Sequence, residues 1–229
     1  MRKLIFLCRR VPGLTHEQYA QRLLDDHVPI ALRHHPSLRR YVVNVVEGVR
    51  TPSSRELDSI GELSFETLED YRERLYDSEA GREIVGRDVA RFLGEAHAYE
   101  CSEFVQKDRT APPLLLRRSP GAKLIAAMRR RPGMPHAEFV DHWLQRHVPL
   151  ALEHHPALVK YVTNVVDSRL SPDGEELDGI AELHFASEED LRERMYGSAQ
   201  ARRAIEEDIP RFIGELQAWL VAEHVCRPA

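Results

Sequence analysis

Two histidines in this chain stand just ahead of a Val-Pro pair, His27 before Val28-Pro29 and His147 before Val148-Pro149. Imidazole, with an ordinary pKa of about 6.5, is the side chain that takes and gives a proton near neutrality. Proline removes a backbone donor and disfavours helical geometry in the residue before it, so a helix carrying either histidine is expected to kink or restart there. Such a histidine has two fates. It performs acid–base chemistry in the space between helix and sheet, or it bonds a carbonyl that the proline leaves free.

Other chemistry-bearing residues follow at matched places. Asn44 and Asn164 interrupt valine-rich strands and share a face with Val42/Val162 and Val46/Val166. A buried amide left unpaired costs about 1–3 kcal/mol, so each needs a partner: a carbonyl or enolate oxygen of a ligand, the neighbouring chain, or a water. Glu62 and Glu182 sit mid-strand on the face of Ser64 and His184, placed to orient a histidine, act as a second base, pair with an arginine of the facing copy, or meet solvent. Tyr41 and Tyr161 open their strands and offer either a phenolic hydrogen bond or a packed ring. His34-His35 and His154-His155 extend His27 and His147 to H-x6-H-H, which matches no zinc spacing. No metal site is expected, and these pairs are read as solvated or capping helix ends.

The matched places arise because HVPIALRHHPSLRRYVVNVV at His27 to Val46 returns as HVPLALEHHPALVKYVTNVV at His147 to Val166. A shift of about 120 residues is a domain duplication, since solenoid repeats run about 20–50 residues. Residues 1–106 and 122–229 form the two copies, with a proline-bearing linker at 107–121 whose Leu114-Leu115-Leu116 is expected to dock on one domain. Each copy opens with a β-type run ended by Pro-Gly, continues through a helix (capping box Thr15/Gln18 in the first copy), two strands and a helical region capped by Thr67 or Ser187, and closes on a strand. This β-α-β-β-α-β order is ferredoxin-like, an α+β fold with one bare sheet face. The second copy can cover that face, sheet to sheet, giving an intrachain pseudo-dimeric α/β barrel; further association of whole chains stays open.

A net charge of −5, with arginines interleaved among acids, argues against nucleic acid as a partner. Apolar runs of about six residues fall short of the roughly 20 that a membrane span needs, so no membrane partner and a cytoplasmic location are expected. Three cysteines, Cys8, Cys101 and Cys226, read as small core residues.

With the motifs laid out, the chain resembles the EthD-like members of the dimeric α/β-barrel superfamily, twice over. The second copy carries Arg129-Arg130, Pro132-Gly133, Trp143, His147, Pro149, Pro156, Leu158, Tyr161, Asn164, Arg211 and Phe212; in the first, Leu23 replaces the tryptophan. The resemblance implies cofactor-independent cyclases, dehydratases, decarboxylases or oxygenases acting on aromatic or polyketide-like substrates, or accessory proteins of catabolic pathways. His147 and His27 are then the catalytic candidates, and Asn164, Tyr161, Trp143, Glu182, His184, Asn44, Tyr41 and Glu62 the substrate-binding ones. No P-loop, dinucleotide turn or haem-attachment motif calls for a cofactor, although haem and flavin also bind without one.

Divergence between the copies suggests where the working pocket lies. Phe6, Leu7 and Cys8 become Ala126, Ala127 and Met128, while Ser64 becomes His184 and Leu23 becomes Trp143. The second copy is therefore expected to hold the roomier, more polar site, with Phe6 plugging the first. The competing function is a non-catalytic protein that binds a small molecule. A third is a structural pseudo-dimer whose pockets are filled by side chains.

Overall fold

Strand β1 (Arg2–Arg10) shows why the sheet has two covered faces: Leu4 joins the layer beneath the helices, whereas Ile5 and Leu7 join a second cluster drawn from both halves of the chain. A computed structural model describes residues 1–228. After β1 come α1 (His16–Gln21), a π-helical turn (Arg22–His27), α2 (Val28–His34), β2 (Arg40–Val49), β3 (Ser59–Phe65), α3 (Leu68–Arg72), α4 (Glu79–Val89) and β4 (Leu93–Asp108). The second half repeats this as β5 (Ala122–Arg130), α5 (His136–His142), a π-helical turn (Trp143–His147), α6 (Val148–His154), β6 (Leu158–Arg169), β7 (Gly179–Phe185), α7 (Glu188–Glu193), α8 (Ala199–Phe212) and β8 (Ile213–Arg227).

The eight strands close into one antiparallel barrel in the order β1-β3-β2-β8-β5-β7-β6-β4. The halves are therefore joined edge to edge by ladder hydrogen bonds, a correction to the picture of two sheets merely laid face to face. One seam pairs β2 with β8, and the other pairs β4 with β6. Length makes this geometry available: β4 spans 16 residues, pairing β1 through Cys101 and β6 out to Asp108. Closure gives each of the eight strands a neighbour on both sides.

Local signals hold at the helix starts. Thr15 and Gln18 form the expected capping box, and Thr67 and Ser187 accept from Asp70 and Asp190 backbone N–H groups. The break expected at Pro29 and Pro149 is instead a widening of the helix. Val28 N–H reaches back to the Leu23 carbonyl and Val148 N–H to that of Trp143, five residues away, and each proline falls in the first turn of the following helix where its missing N–H costs nothing. The linker also differs from expectation. Leu114, Leu115 and Leu116 are exposed; the backbone docks instead, with Leu116 N–H on the Val225 carbonyl and Ser119 N–H on that of Glu223.

Inside the barrel, Ile5, Val46, Ile60, Tyr99, Ile125, Val166, Ile180 and Trp219 pack across the pseudo-twofold. At one level this apolar lumen holds charge. Lys3 Nζ lies 2.9 Å from Glu62, 2.7 Å from Glu182 and 2.5 Å from Glu103, while Lys123 Nζ lies 2.7 Å from Glu62 and 2.8 Å from both Glu182 and Glu223. Each lysine thus grips a glutamate from either half. Burial and the nearby Glu182 push the Glu62 carboxyl upward, yet Lys123, Lys3 and Arg40 outweigh them and hold it at about 2. A folded pKa below the unfolded value of about 4.5 gives stability that is present above that pH and lost as pH falls through about 2.

Removing one lysine leaves buried carboxylates short of a counter-charge. Lys123→Met is expected to lower unfolding free energy by about 3–5 kcal/mol, read as a shift of the urea midpoint. A loss below about 1 kcal/mol would mean that water screens the lumen and the pairing contributes little.

Candidate functional site

The end of the first π-helical turn aims His27 beneath the helices of the first half. Its Nδ1 lies 2.9 Å from Asp88 Oδ2 on α4, and its ring packs on Phe92 with centroids 5.1 Å apart. A carboxylate only accepts, so Nδ1 carries the proton and Nε2 keeps its lone pair. Burial pulls the His27 pKa below its ordinary value against the opposing pull of Asp88, so the ring is a neutral base at pH 7.

His27 borders a cavity of about 190 Å³ between helices and sheet. Tyr41, Phe6, Ser59, Tyr71 and Phe92 are among its walls. Tyr19 and Ser59 bond each other through their hydroxyls at 2.7 Å. Burial raises the Tyr41 phenol well above its usual value, which keeps it a protonated hydrogen-bonding group. Cys8 also lines the cavity, but burial pushes its thiol up to about 12, so it is no thiolate nucleophile.

The second half keeps the polar skeleton and fills the space. His147 Nδ1 and His142 Nε2 each lie 2.9 Å from one oxygen of Asp208, and burial lowers the His147 pKa. Trp143 is fully enclosed, donates from Nε1 to Tyr161 Oη at 3.1 Å and lies flush on Gly179, where an added Cβ would come within 2.4 Å of the ring. Three matched positions therefore changed together: Tyr19, Leu23 and Ser59 stand where the second half has Phe139, Trp143 and Gly179. The expectation of a roomier second site is overturned, because the indole occupies the room that smaller first-strand residues provide. Phe6 is a wall of the first cavity and not its plug, its ring set edge-on to Tyr71 at 6.1 Å.

The remaining residues singled out from the sequence do not join His27. Asn44, Glu62, Asn164, Glu182 and His184 point into the barrel lumen, on the other side of the sheet from His27, Tyr41, His147, Tyr161 and Trp143. Asn44 Nδ2 donates to the Ile60 carbonyl and to Glu62 Oε1, both at 2.9 Å, and Asn164 repeats this with Ile180 and Glu182. The asparagines thus orient the glutamates that the lysines hold. His184 lies 3.9 Å from Glu182, beyond hydrogen-bond reach. Carboxylates and His184 gather into two sets with metal-ligand reach, Glu62/Glu103/Glu182 and Glu182/His184/Glu223, and both sets face the Lys3 and Lys123 ammonium groups. His35 and His155, read as solvated or capping, are buried and bond the Leu75 and Met195 carbonyls through Nδ1. The Arg-Arg-x-Pro-Gly motif is structural: Arg10 and Arg130 tie the Pro-Gly turns to Asp58 and Asp178, with Gly13 and Gly133 at positive φ.

A closed eight-stranded antiparallel barrel with helices covering its outside defines an α/β barrel of the dimeric type, here built from one chain. The chain belongs to the EthD domain family, whose model matches residues 11–96 and again 131–215. Among solved structures it is similar to an anthrone oxidase-like protein (12% identity, 98% of this chain and 92% of the other, TM-score 0.63). It is also similar to a provisionally named monooxygenase from Fusobacterium nucleatum (6% identity, 99% and 92%, TM-score 0.62) and to a mutant chlorite dismutase from Candidatus Nitrospira defluvii (11%, 96% and 91%, TM-score 0.52). At these identities the likeness is one of fold. No curated protein matches the sequence. No helix among the described residues is long and apolar enough to cross a membrane.

Two measurements check the site's physics. An NMR titration is expected to show His27 titrating below the ordinary histidine value, with Asp88→Asn moving that titration lower still, because the group that favours the charged form is gone. Gly179→Ala is expected to cost about 1–3 kcal/mol by overpacking Trp143; a neutral result would show that the indole has room to move.

Proposed function

We propose that the chain is a small-molecule enzyme whose working site is the first-half cavity, with His27 as the proton acceptor. The observation that carries this reading is a neutral, Asp88-oriented imidazole on an aromatic-walled cavity in which Tyr41 supplies a protonated phenol. Such a pair suits a substrate with an acidic C–H beside a carbonyl, or a phenol. His27 Nε2 takes the proton, and a hydrogen bond from Tyr41 steadies the resulting oxyanion. The charge that develops is met among buried aromatic side chains, where such a bond is worth more than in bulk water. Cyclisation, dehydration and reaction of the substrate carbanion with dioxygen all begin this way. None of these first steps asks for a cofactor. The fold likeness to an anthrone oxidase-like protein supports an aromatic substrate.

In this reading residues 1–106 and 122–229 are two ferredoxin-like units, supported by the strand order 4-1-3-2 within each half of the barrel. A second reading has one observation in its favour. A volume of about 190 Å³ is below the roughly 300 Å³ of ordinary ligand sites, which suits a structural pseudo-dimer whose pockets are filled by its own side chains. We assign that structural role to the second half, where Trp143 fills the space.

The test is metabolite profiling of the native host lacking this protein, complemented with wild type, His27→Ala or His147→Ala. The expected outcome is that His27→Ala fails, with an unprocessed intermediate accumulating, while His147→Ala complements. Complementation by both variants would replace the enzyme with a binding protein.

A further inference from the structure

The duplication supplies an internal picture of an occupied pocket. His27 with Asp88, Tyr41 and Phe92 in the first half match His147 with Asp208, Tyr161 and Phe212 in the second. Between these fixed groups the second half carries a flat two-ring aromatic, the indole of Trp143, completely enclosed. Its benzo edge lies on Gly179, Phe139 tilts against it at 5.7 Å, and its N–H donates to Tyr161 Oη. In the first half Leu23 replaces the indole and brings no donor, and Tyr41 is left on the wall of a cavity.

We infer that the first-half cavity binds a small, uncharged two-ring aromatic carrying an O–H or N–H donor, seated with that donor on Tyr41 Oη as the Trp143 N–H sits on Tyr161 Oη. This deepens the proposed function by naming the substrate class of the same site, and it rests on that reading for the location alone. Three further observations fit. A cavity of about 190 Å³ is of the size that two fused rings need and is small for a ligand site. The Phe6, Tyr71 and Phe92 rings offer faces and edges to a planar guest. The nearest cation-forming groups, His27 and His35, are both held neutral by burial, so nothing there recruits an anion. Ser59, in place of Gly179, raises the floor where the indole's benzo edge rests. The guest therefore sits further from β3 than Trp143 does, toward Phe6 and Tyr71.

The same comparison explains why one pocket is open and the other closed. A tryptophan at position 23 would meet the Ser59 side chain, so the indole needs the glycine, and without the indole the glycine would leave a void. Leu23/Ser59 and Trp143/Gly179 are two self-consistent solutions, and each excludes a half-change to the other. Tyr19 follows Ser59, since its hydroxyl bonds that serine, and Phe139 follows Gly179, which has no hydroxyl to offer.

The probes are 2-naphthol and naphthalene, alike in shape and differing by one hydroxyl, measured by equilibrium binding to the full chain. Wild type is expected to bind 2-naphthol about fivefold to tenfold more tightly than naphthalene, the worth of one neutral hydrogen bond. Tyr41→Phe, which removes a single oxygen, should bring the two affinities together. The triple variant Leu23→Trp/Ser59→Gly/Tyr19→Phe, which copies the second half, should bind neither while unfolding at or above the wild-type temperature. Equal binding of the two probes by wild type, unchanged preference in Tyr41→Phe, retained binding in a folded triple variant, or no binding of either probe to wild type would each overturn the inference. Tyr41→Phe decides the matter alone if the triple variant fails to fold. A chain that shows the Tyr41-dependent preference while His27→Ala still complements the host keeps this site and loses the enzymatic reading; the converse result keeps the enzyme and loses the donor rule.

Discussion

Two lysines shared between two glutamates across the barrel lumen are the constraint on which everything else rests. Lys3 and Lys123 are each bonded to Glu62 and Glu182, so each half neutralises charge that the other buries. A half-barrel on its own would present this cluster and a broad apolar sheet face to water. Joined, it satisfies the cluster and continues its hydrogen-bond ladder through β2·β8 and β4·β6. The ion pairs are specific where the surrounding valine and isoleucine contacts are not, because only one register brings both ammonium groups between both carboxylates. That register fixes the sheet, and the sheet fixes the floor against which the helices set His27 and Tyr41.

Much of the architecture was legible in the sequence, for a physical reason: a duplication makes every local signal appear twice, and caps, turns and strand alternation depend on near neighbours. The site was less legible. Asn44 and Tyr41 lie three residues apart on one strand and so face opposite sides of the sheet, which period-two alternation alone separates. Grouping Tyr41, Asn44 and Glu62 with the histidines merged two environments that the sheet divides. Asp88 and Asp208 drew no notice in the sequence, although both precede Arg-Phe at the same spacing. Nothing local marks Lys3 and Lys123, because burial across a barrel is set by residues some 60 to 180 positions away.

The misplacement of the pocket has a sharper cause. Residue size was compared strand by strand, and the alanines at 126 and 127 promised room. Volume belongs to the space between elements, and the helix opposite had already spent it on Trp143. Gly179 was the available sign: a glycine inside a buried strand, where the first half has serine, marks a place where a large ring comes close. The two halves have thus diverged by compensation, keeping the same His–Asp pair and strand tyrosine while one interior became packing and the other stayed hollow.

The widened turn before Pro29 acts as a phase adjuster. One extra residue in a helix of about 3.6 residues per turn rotates everything downstream by about 100°. The residues ahead of it, Tyr19 and Leu23, and those beyond it, Val28 and Ala31, all point inward, which an uninterrupted helical period over the same stretch would not keep aligned. Chain length between Arg22 and His27 is therefore as constrained as composition: losing a single residue there would turn the buried stripe of α2 toward solvent and carry the imidazole away from Asp88. Sequence drift in this segment is confined to its outward-facing side chains, and the count must be kept.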